Sequence, residues 1–93
     1  MLEISTVDEA VAAIRERGYL NSFLSQRDGW FVAHVVPGGM SEDCAVIETS
    51  IADELIGDGL VEEVGRGRDL ADPTCHVVWF RLSQEAERIG AAR

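Results

Sequence analysis

The chain has 93 residues and a formal net charge of -9, and 46% of its residues are hydrophobic. A chain of this length buries one modest core, so we expect a single domain over residues 1–93. The composition excludes a disordered tail, and the acid excess disfavours binding to phosphate backbones and anionic lipid surfaces. The charge favours a protein partner with a basic surface.

The N-terminus lacks the basic start and apolar run of a signal peptide, and no run of about eighteen apolar residues occurs in the sequence. We therefore expect a cytoplasmic protein that does not bind membranes. Cys44 and Cys75 can form at most one disulfide bond, and we expect both to be reduced, buried thiols.

Residues 7–17 are predicted to form the first helix. Thr6 is a suitable N-cap, and Glu9 stands three residues later, as a capping box requires. The apolar residues of the segment recur on one stripe, and Gly18 follows as a helix end.

Asp28 and Gly29 separate two apolar runs, which predicts a β-hairpin with a type I′ turn and a strand over residues 30–36. The first arm has an alternative. The apolar side chains of residues 19–25 also recur at helical spacing, so this segment could form a short helix instead. We favour the hairpin.

Residues 41–58 show the clearest helical pattern, with Ser41 as N-cap and Gly57 or Gly59 as the end. The apolar stripe of this predicted helix consists of Cys44, Ile47, Ile51 and Leu55. Glu48 falls inside that stripe. It could be a general acid, an anchor for Arg81 or a residue at the rim of the core, and we favour the rim or ion-pair interpretation.

Residues 60–64 and 75–82 are predicted strands joined by a turn through "GRGRDLADPT", and Ser83 then caps a last helix ending near Gly90. The predicted fold class is therefore α+β. Its element order is α-β(β)-α-β-β-α, with two β-hairpins. Trp30, Phe31, Trp79 and Phe80 lie on predicted strands, where core packing is expected for all four.

"LIGDGLVEEVGRG" followed by "RLSQEAERIG" resembles the recognition-helix end, wing and following helix of winged-helix regulators of the MarR type. The match covers residues 41–90. It is carried by Leu55, Gly59, Leu60, Val61, Arg81, Leu82 and Ser83. The resemblance implies a small winged-helix-like domain and a DNA-binding transcriptional regulator.

Two departures from the family pattern argue against that activity. Thr74 stands where the family commonly carries a wing-tip arginine that enters the minor groove. Residues 41–58 contain acidic residues but neither arginine nor lysine, whereas a helix in the major groove lies between rows of phosphates. Binding of DNA through this helix is therefore disfavoured, and Arg66 and Arg68 are the alternative nucleic-acid-binding residues.

No pattern in the sequence predicts a catalytic residue, a metal site or a cofactor. The cysteines and histidines lack the paired spacing of zinc ligands, and adjacent Cys75 and His76 on a strand point to opposite faces. An enzyme acting through Glu48 or a cysteine has the least support, because no second polar group stands at a defined spacing.

The sequence therefore predicts a non-enzymatic acidic interaction module. Its predicted partner-binding residues are Thr49, Ser50, Asp53, Glu54 and Asp58. Small acidic inhibitors encoded by phages, such as anti-CRISPR proteins, are similar in size and charge and can occupy nucleic-acid grooves of their targets. The alternative is a winged-helix DNA-binding regulator that uses Arg66 and Arg68. A homodimer is compatible with both.

Overall fold

Six strands form one mixed sheet in the computed structural model, and two helices pack on one of its faces. The structure describes residues 2–24, 29–39, 44–68, 74–84 and 86. In chain order the elements are β1 (Leu2–Ile4), α1 (Val7–Arg17), β2 (Tyr19–Leu24), β3 (Gly29–His34), β4 (Ala45–Ile47), α2 (Thr49–Gly57), β5 (Val61–Arg68) and β6 (His76–Leu82). The strand order is β1-β4-β3-β2-β6-β5, with β1 and β4 parallel and the other neighbours antiparallel.

The eight elements form two successive repeats of the order β-α-β-β. We call these repeats the first unit (residues 2–34) and the second unit (residues 45–82). The first strands of the two units lie side by side, so that Ile4 is opposite Ile47. Each helix is followed by a glycine with positive φ, 111° at Gly18 and 70° at Gly59. Positive φ favours glycine, so each unit uses a glycine to turn the chain from its helix into the next strand.

The main core lies between the helices and the sheet. Its fully buried side chains include Ile14 of α1, Leu55 of α2, Leu20 of β2 and Ile47 of β4. Successive residues of a strand point to opposite faces, so the alternate residues of these strands form a second, smaller cluster on the other face. That second cluster contains Phe23, Val32, Cys44, Cys75 and Val77, with Trp30, Val46 and Trp79 packed against it.

Trp79 lies over the glycines of the neighbouring strand. A Cβ built on Gly65 would stand 2.5 Å from three atoms of the indole, and one on Gly38 would stand 3.2 Å from another edge of the ring. Phe23 and Trp30 form a further aromatic contact on this face, stacked with ring centroids 5.6 Å apart. The glycines of "GRGR" therefore provide space for an aromatic side chain of β6.

Asn21 is fully buried on β2 and fixes the loop after β3. Its Oδ1 accepts a hydrogen bond from the backbone N–H of Gly38 at 2.6 Å, and its Nδ2 donates to the carbonyls of Val36 and Gly39 at 3.3 and 3.4 Å. These bonds satisfy the buried amide. They also hold Val35 and Val36 in an exposed loop, although the sequence pattern predicted strand up to residue 36.

The prediction of the first helix is confirmed, including its cap. The Thr6 Oγ1 accepts a hydrogen bond from the backbone N–H of Glu9 at 3.2 Å and donates one to the Glu9 carboxylate at 2.9 Å. The helix ends at Arg17, before Gly18.

Residues 19–24 form a strand, which decides between the two interpretations of this segment in favour of the sheet. The turn was placed wrongly. Gly29 is paired with Leu24 inside the ladder, so it is not a central residue of a two-residue turn, and Asp28 lies outside the described residues. The Asp-Gly pair is therefore not the centre of the turn.

The helix predicted over residues 41–58 is wrong in its first half. Residues 45–47 are strand β4, and α2 begins only at Thr49. Ser41, the predicted cap, lies outside the described residues. The difference has a physical reason: β4 lies between β1 and β3, and both flanking strands give its backbone hydrogen-bond partners while its Ala45 and Ile47 are buried.

The last two predicted strands are present, but the first of them is longer than expected. β5 runs to Arg68, so residues 65–68 belong to the ladder with β6 and not to a turn. The Ser83 Oγ accepts a hydrogen bond from the backbone N–H of Ala86 at 3.3 Å, as an N-cap does, while the expected helix end at Gly90 lies outside the described residues. The fold class is α+β. The element order differs from the predicted winged-helix-like order by the presence of β1 and β4, and most of the predicted last helix lies outside the described residues.

Candidate functional site

Helix α2 presents a polar face to solvent. Its predicted contact residues Thr49, Ser50, Asp53 and Glu54 are all exposed, as is Asp58, the residue after its last turn. The helix is held in place from its other side, where Ala52 and Leu55 are fully buried in the main core. Because residues four apart share a helix face, the pairs 49/53 and 50/54 form one continuous surface. We call residues 49, 50, 53, 54 and 58 the acidic face.

The charges of the acidic face are placed unfavourably for the helix that carries them. The first turn of α2 contains no acidic residue and its last turn no basic one. Asp53 lies at the centre of the helix, whereas Glu54 lies in its last turn and Asp58 is its C-cap, where the helix dipole is negative. Glu48 at the N-cap makes no side-chain capping bond. Helix stability therefore does not explain the distribution of these acids.

Within the described residues, no arginine forms an ion pair with Asp53, Glu54 or Asp58. Two ion pairs of β5 lie elsewhere, between Glu63 and Arg66 at 2.5 Å and between Glu62 and Arg81 at 2.6 Å. The negative charge of the acidic face is consequently available to a partner.

Glu48 does not lie in an apolar stripe, because that stripe assumed a continuous helix through residues 44–55. It is an exposed residue between β4 and α2. Arg81, its suggested partner, pairs with Glu62 on the neighbouring strand. A carboxylate exposed in this way has no buried environment that would suit a general acid.

Arg66 and Arg68 lie on β5, within the ladder and on the same side of the sheet, opposite Val78 and His76 of β6. Both are exposed. The segment that was expected to carry them in a turn is strand as far as Arg68. They are therefore placed along a sheet edge and not at the tip of a wing.

The two cysteines belong to the second apolar cluster, and the two histidines lie on β3 and β6. Cys44 and Cys75 are both buried, and they form no disulfide bond with each other. Cys75 is buried while the adjacent His76 is exposed, as alternation along a strand requires. The His34 Nδ1 accepts a hydrogen bond from the backbone N–H of Val36 at 3.0 Å. In the described ranges, no three residues among His, Cys, Asp and Glu are grouped so that they could hold a metal ion.

Sequence reasoning missed the buried amide of Asn21 and the exposed apolar loop that it holds. Val35 is 61% exposed and Val36 is 50% exposed. The signal was present in Pro37, Gly38 and Gly39, which end the strand, but the sequence does not indicate which side chain would bind their backbone.

Comparison of the chain with protein-family models, with curated proteins and with solved structures gives no match. Across the residues described by the structure, neither helix is long and apolar enough to cross a membrane. The candidate functional features are therefore those of its geometry and charge. They are the acidic face on α2 and the arginine-bearing edge strand β5.

Proposed function

We propose that this protein is a non-enzymatic interaction module whose acidic face binds a partner with a basic surface. The observation that carries the proposal is the exposed acid group on α2, which has no ion-pair partner among the described residues and of which Glu54 and Asp58 lie at the negative end of the helix dipole. Residues that oppose a local rule of stability, with no compensating contact in the structure, are typical of binding surfaces.

The contact is expected to be electrostatic, with the hydroxyls of Thr49 and Ser50 as additional hydrogen-bond partners. Arginine is the preferred counterpart, because its planar fork binds carboxylates with two parallel hydrogen bonds. A partner that normally binds nucleic acid has such a surface. Inhibition of that partner, by occupying its phosphate-binding residues, is therefore the functional role we propose.

A matched pair of double variants tests the acidic face. Asp53→Asn with Glu54→Gln removes two charges from it, and Glu3→Gln with Glu16→Gln removes two exposed charges from β1 and α1. Calorimetric titration at low salt uses an arginine-rich peptide as probe. The first variant is expected to bind about tenfold more weakly than the second. Equal weakening by both variants would show attraction by net charge alone and would reject the acidic face.

The inhibitory role is tested separately, with a basic DNA-binding protein and its labelled DNA. The unaltered chain should displace the DNA, and the Asp53→Asn/Glu54→Gln variant should do so poorly. Displacement by the variant at the same concentration as the unaltered chain would contradict inhibition through α2.

A DNA-binding regulator is the second candidate. One observation favours it: Arg66 and Arg68 are exposed on the same side of β5. Arg66, however, is paired with Glu63, which reduces the charge that phosphates would meet. A mobility-shift assay at low salt decides between the two. No shift at about micromolar protein, where non-specific DNA binders already associate, rejects the regulator.

A further inference from the structure

The two edges of the sheet differ in length. One edge is β1, with three residues, and the other is β5, with eight, the longest strand of the described sheet. Proteins usually keep edge strands short or cover them, because the unpaired backbone groups of an edge accept another strand. A long edge strand is therefore a potential interface.

β5 is paired with β6 on one side only. From Glu62 to Arg68 its residues are exposed or half-buried, and Val64 is 41% exposed. It contains no proline that would remove a backbone donor. Its outer side consequently has unpaired hydrogen-bonding groups on both sides of the register shift between Glu63 and Gly65, and none of the strands that the structure describes lies there.

The charges of β5 are ordered along the strand, with Glu62 and Glu63 in its first half and Arg66 and Arg68 in its second half. Glu63 and Arg66 also lie on the same side of the sheet, opposite Phe80 and Val78, and contact each other. Charged side chains on an edge strand usually prevent pairing with a second strand, because like charges of the two strands would lie opposite each other. In an antiparallel pair of two β5 strands the acidic half of one lies along the basic half of the other, so opposite charges meet twice.

We propose that β5 pairs antiparallel with β5 of a second copy of this chain, about a two-fold axis perpendicular to the sheet. Glu63 of each copy then lies beside Arg66 of the other, and backbone hydrogen bonds join the two sheets into one. Such an axis keeps the helices of both copies on the same face, so the two acidic faces of α2 point to the same side. This interface uses none of the residues of the acidic face, and it stands or fails independently of the proposed function.

Sedimentation equilibrium of the full chain and of charge-swapped variants tests the interface. The unaltered chain is expected to be a dimer at about 100 μM, a concentration at which a weak specific interface is populated. Glu63→Arg gives three neighbouring arginines along β5, and Arg66→Glu gives three acids. Each change replaces two attractions by two repulsions, and each is expected to raise the Kd of the dimer by about tenfold or more.

Mixing the two single variants shows whether the Glu63–Arg66 charges act between two chains or only within one chain. An equimolar mixture of Glu63→Arg and Arg66→Glu chains should dimerise again, because the arginine-bearing strand of one faces the acid-bearing strand of the other. The Glu63→Arg/Arg66→Glu double variant should also dimerise. Its circular dichroism spectrum should match that of the unaltered chain, which would show that the two changes leave the fold intact.

A monomeric unaltered chain overturns the proposal, as do single variants that dimerise as well as the unaltered chain. A mixture of single variants that stays monomeric overturns it too, since the Glu63–Arg66 pair would then act only within one chain.

Discussion

The two β-α-β-β units have the same order of elements but different surroundings. β2 of the first unit lies between β3 and β6, and all but its two end residues are buried. β5, the corresponding strand of the second unit, has β6 on one side only, and its residues after Val61 are exposed or half-buried. Three residues after the helix-ending glycine, the first unit places buried Asn21 and the second places exposed Glu62. Position in the sheet, and not element order, decides which unit can carry an interaction surface.

The helices of the two units differ in how their charged residues are placed relative to the helix dipole. α1 has Asp8 and Glu9 in its first turn and Arg15 and Arg17 in its last, as the helix dipole favours. α2 has neither arrangement, and Glu54 and Asp58 place negative charge at its C-terminal end. The first unit therefore follows the rules of helix stability, whereas the second departs from them at the residues that we assign to binding.

The largest difference in stability between the two units is expected at the third residue after the glycine that follows each helix, which is Asn21 in the first unit and Glu62 in the second. Asn21→Ala removes a fully buried amide together with its three hydrogen bonds to the loop, which should lower the free energy of unfolding by about 2–3 kcal/mol. Glu62→Ala removes one exposed ion pair and should cost about 0.5 kcal/mol or less. Urea denaturation measures both. Similar losses would contradict the difference in burial.

A second comparison lies within the second unit. Gly65→Ala puts a Cβ 2.5 Å from the Trp79 indole, which is also contacted from Gly38, and should destabilise the fold by about 2 kcal/mol. Gly67→Ala on the same strand meets the ring at 3.6 Å, an ordinary contact, and should change stability by about 0.5 kcal/mol or less. Thermal unfolding with tryptophan fluorescence reads out both variants. If Gly65→Ala is as stable as Gly67→Ala, the indole does not depend on the glycine.

The smallest effect has opposite signs in the two helices. Glu9→Gln removes a favourable charge from the start of α1 and should destabilise it, whereas Glu54→Gln removes an unfavourable charge from the end of α2 and should stabilise it, each by about 0.5 kcal/mol. Denaturation at low salt measures the two changes, and high salt should reduce both. A loss of stability in Glu54→Gln would contradict the view that the acids of α2 do not serve the fold.

The sequence predicted the elements whose signals are local. The capped helix α1 and the strands β2, β3, β5 and β6 follow from capping residues, glycines and apolar runs. The failure at residues 41–58 came from an apolar segment that happens to continue the helical spacing of α2. Short apolar runs fit a strand or a helix equally well, and the choice depends on neighbours distant in sequence, in this case β1 and β3. β1 has only three residues, too few to show a pattern.

For the candidate site, the sequence predicted the exposure of Thr49, Ser50, Asp53, Glu54 and Asp58 correctly, because charged residues opposite a stripe of apolar ones lie in solvent. It placed Glu48 wrongly, since it assumed a helix that had not yet begun. The position of Arg66 and Arg68 inside a strand was also missed. The space that Trp79 needs above Gly65 and Gly67 explains why a glycine-rich segment is strand and not turn, and that requirement involves a residue on another strand.

The most direct test of the acidic face is a titration of the ¹⁵N-labelled chain with an arginine-rich peptide at low salt, followed by NMR. The amide signals of residues 49–58 should shift most, and those of the exposed acids Glu3, Glu9 and Glu16, which lie in the first unit, should shift little. Shifts spread evenly over the acids of both units would contradict a binding surface on α2.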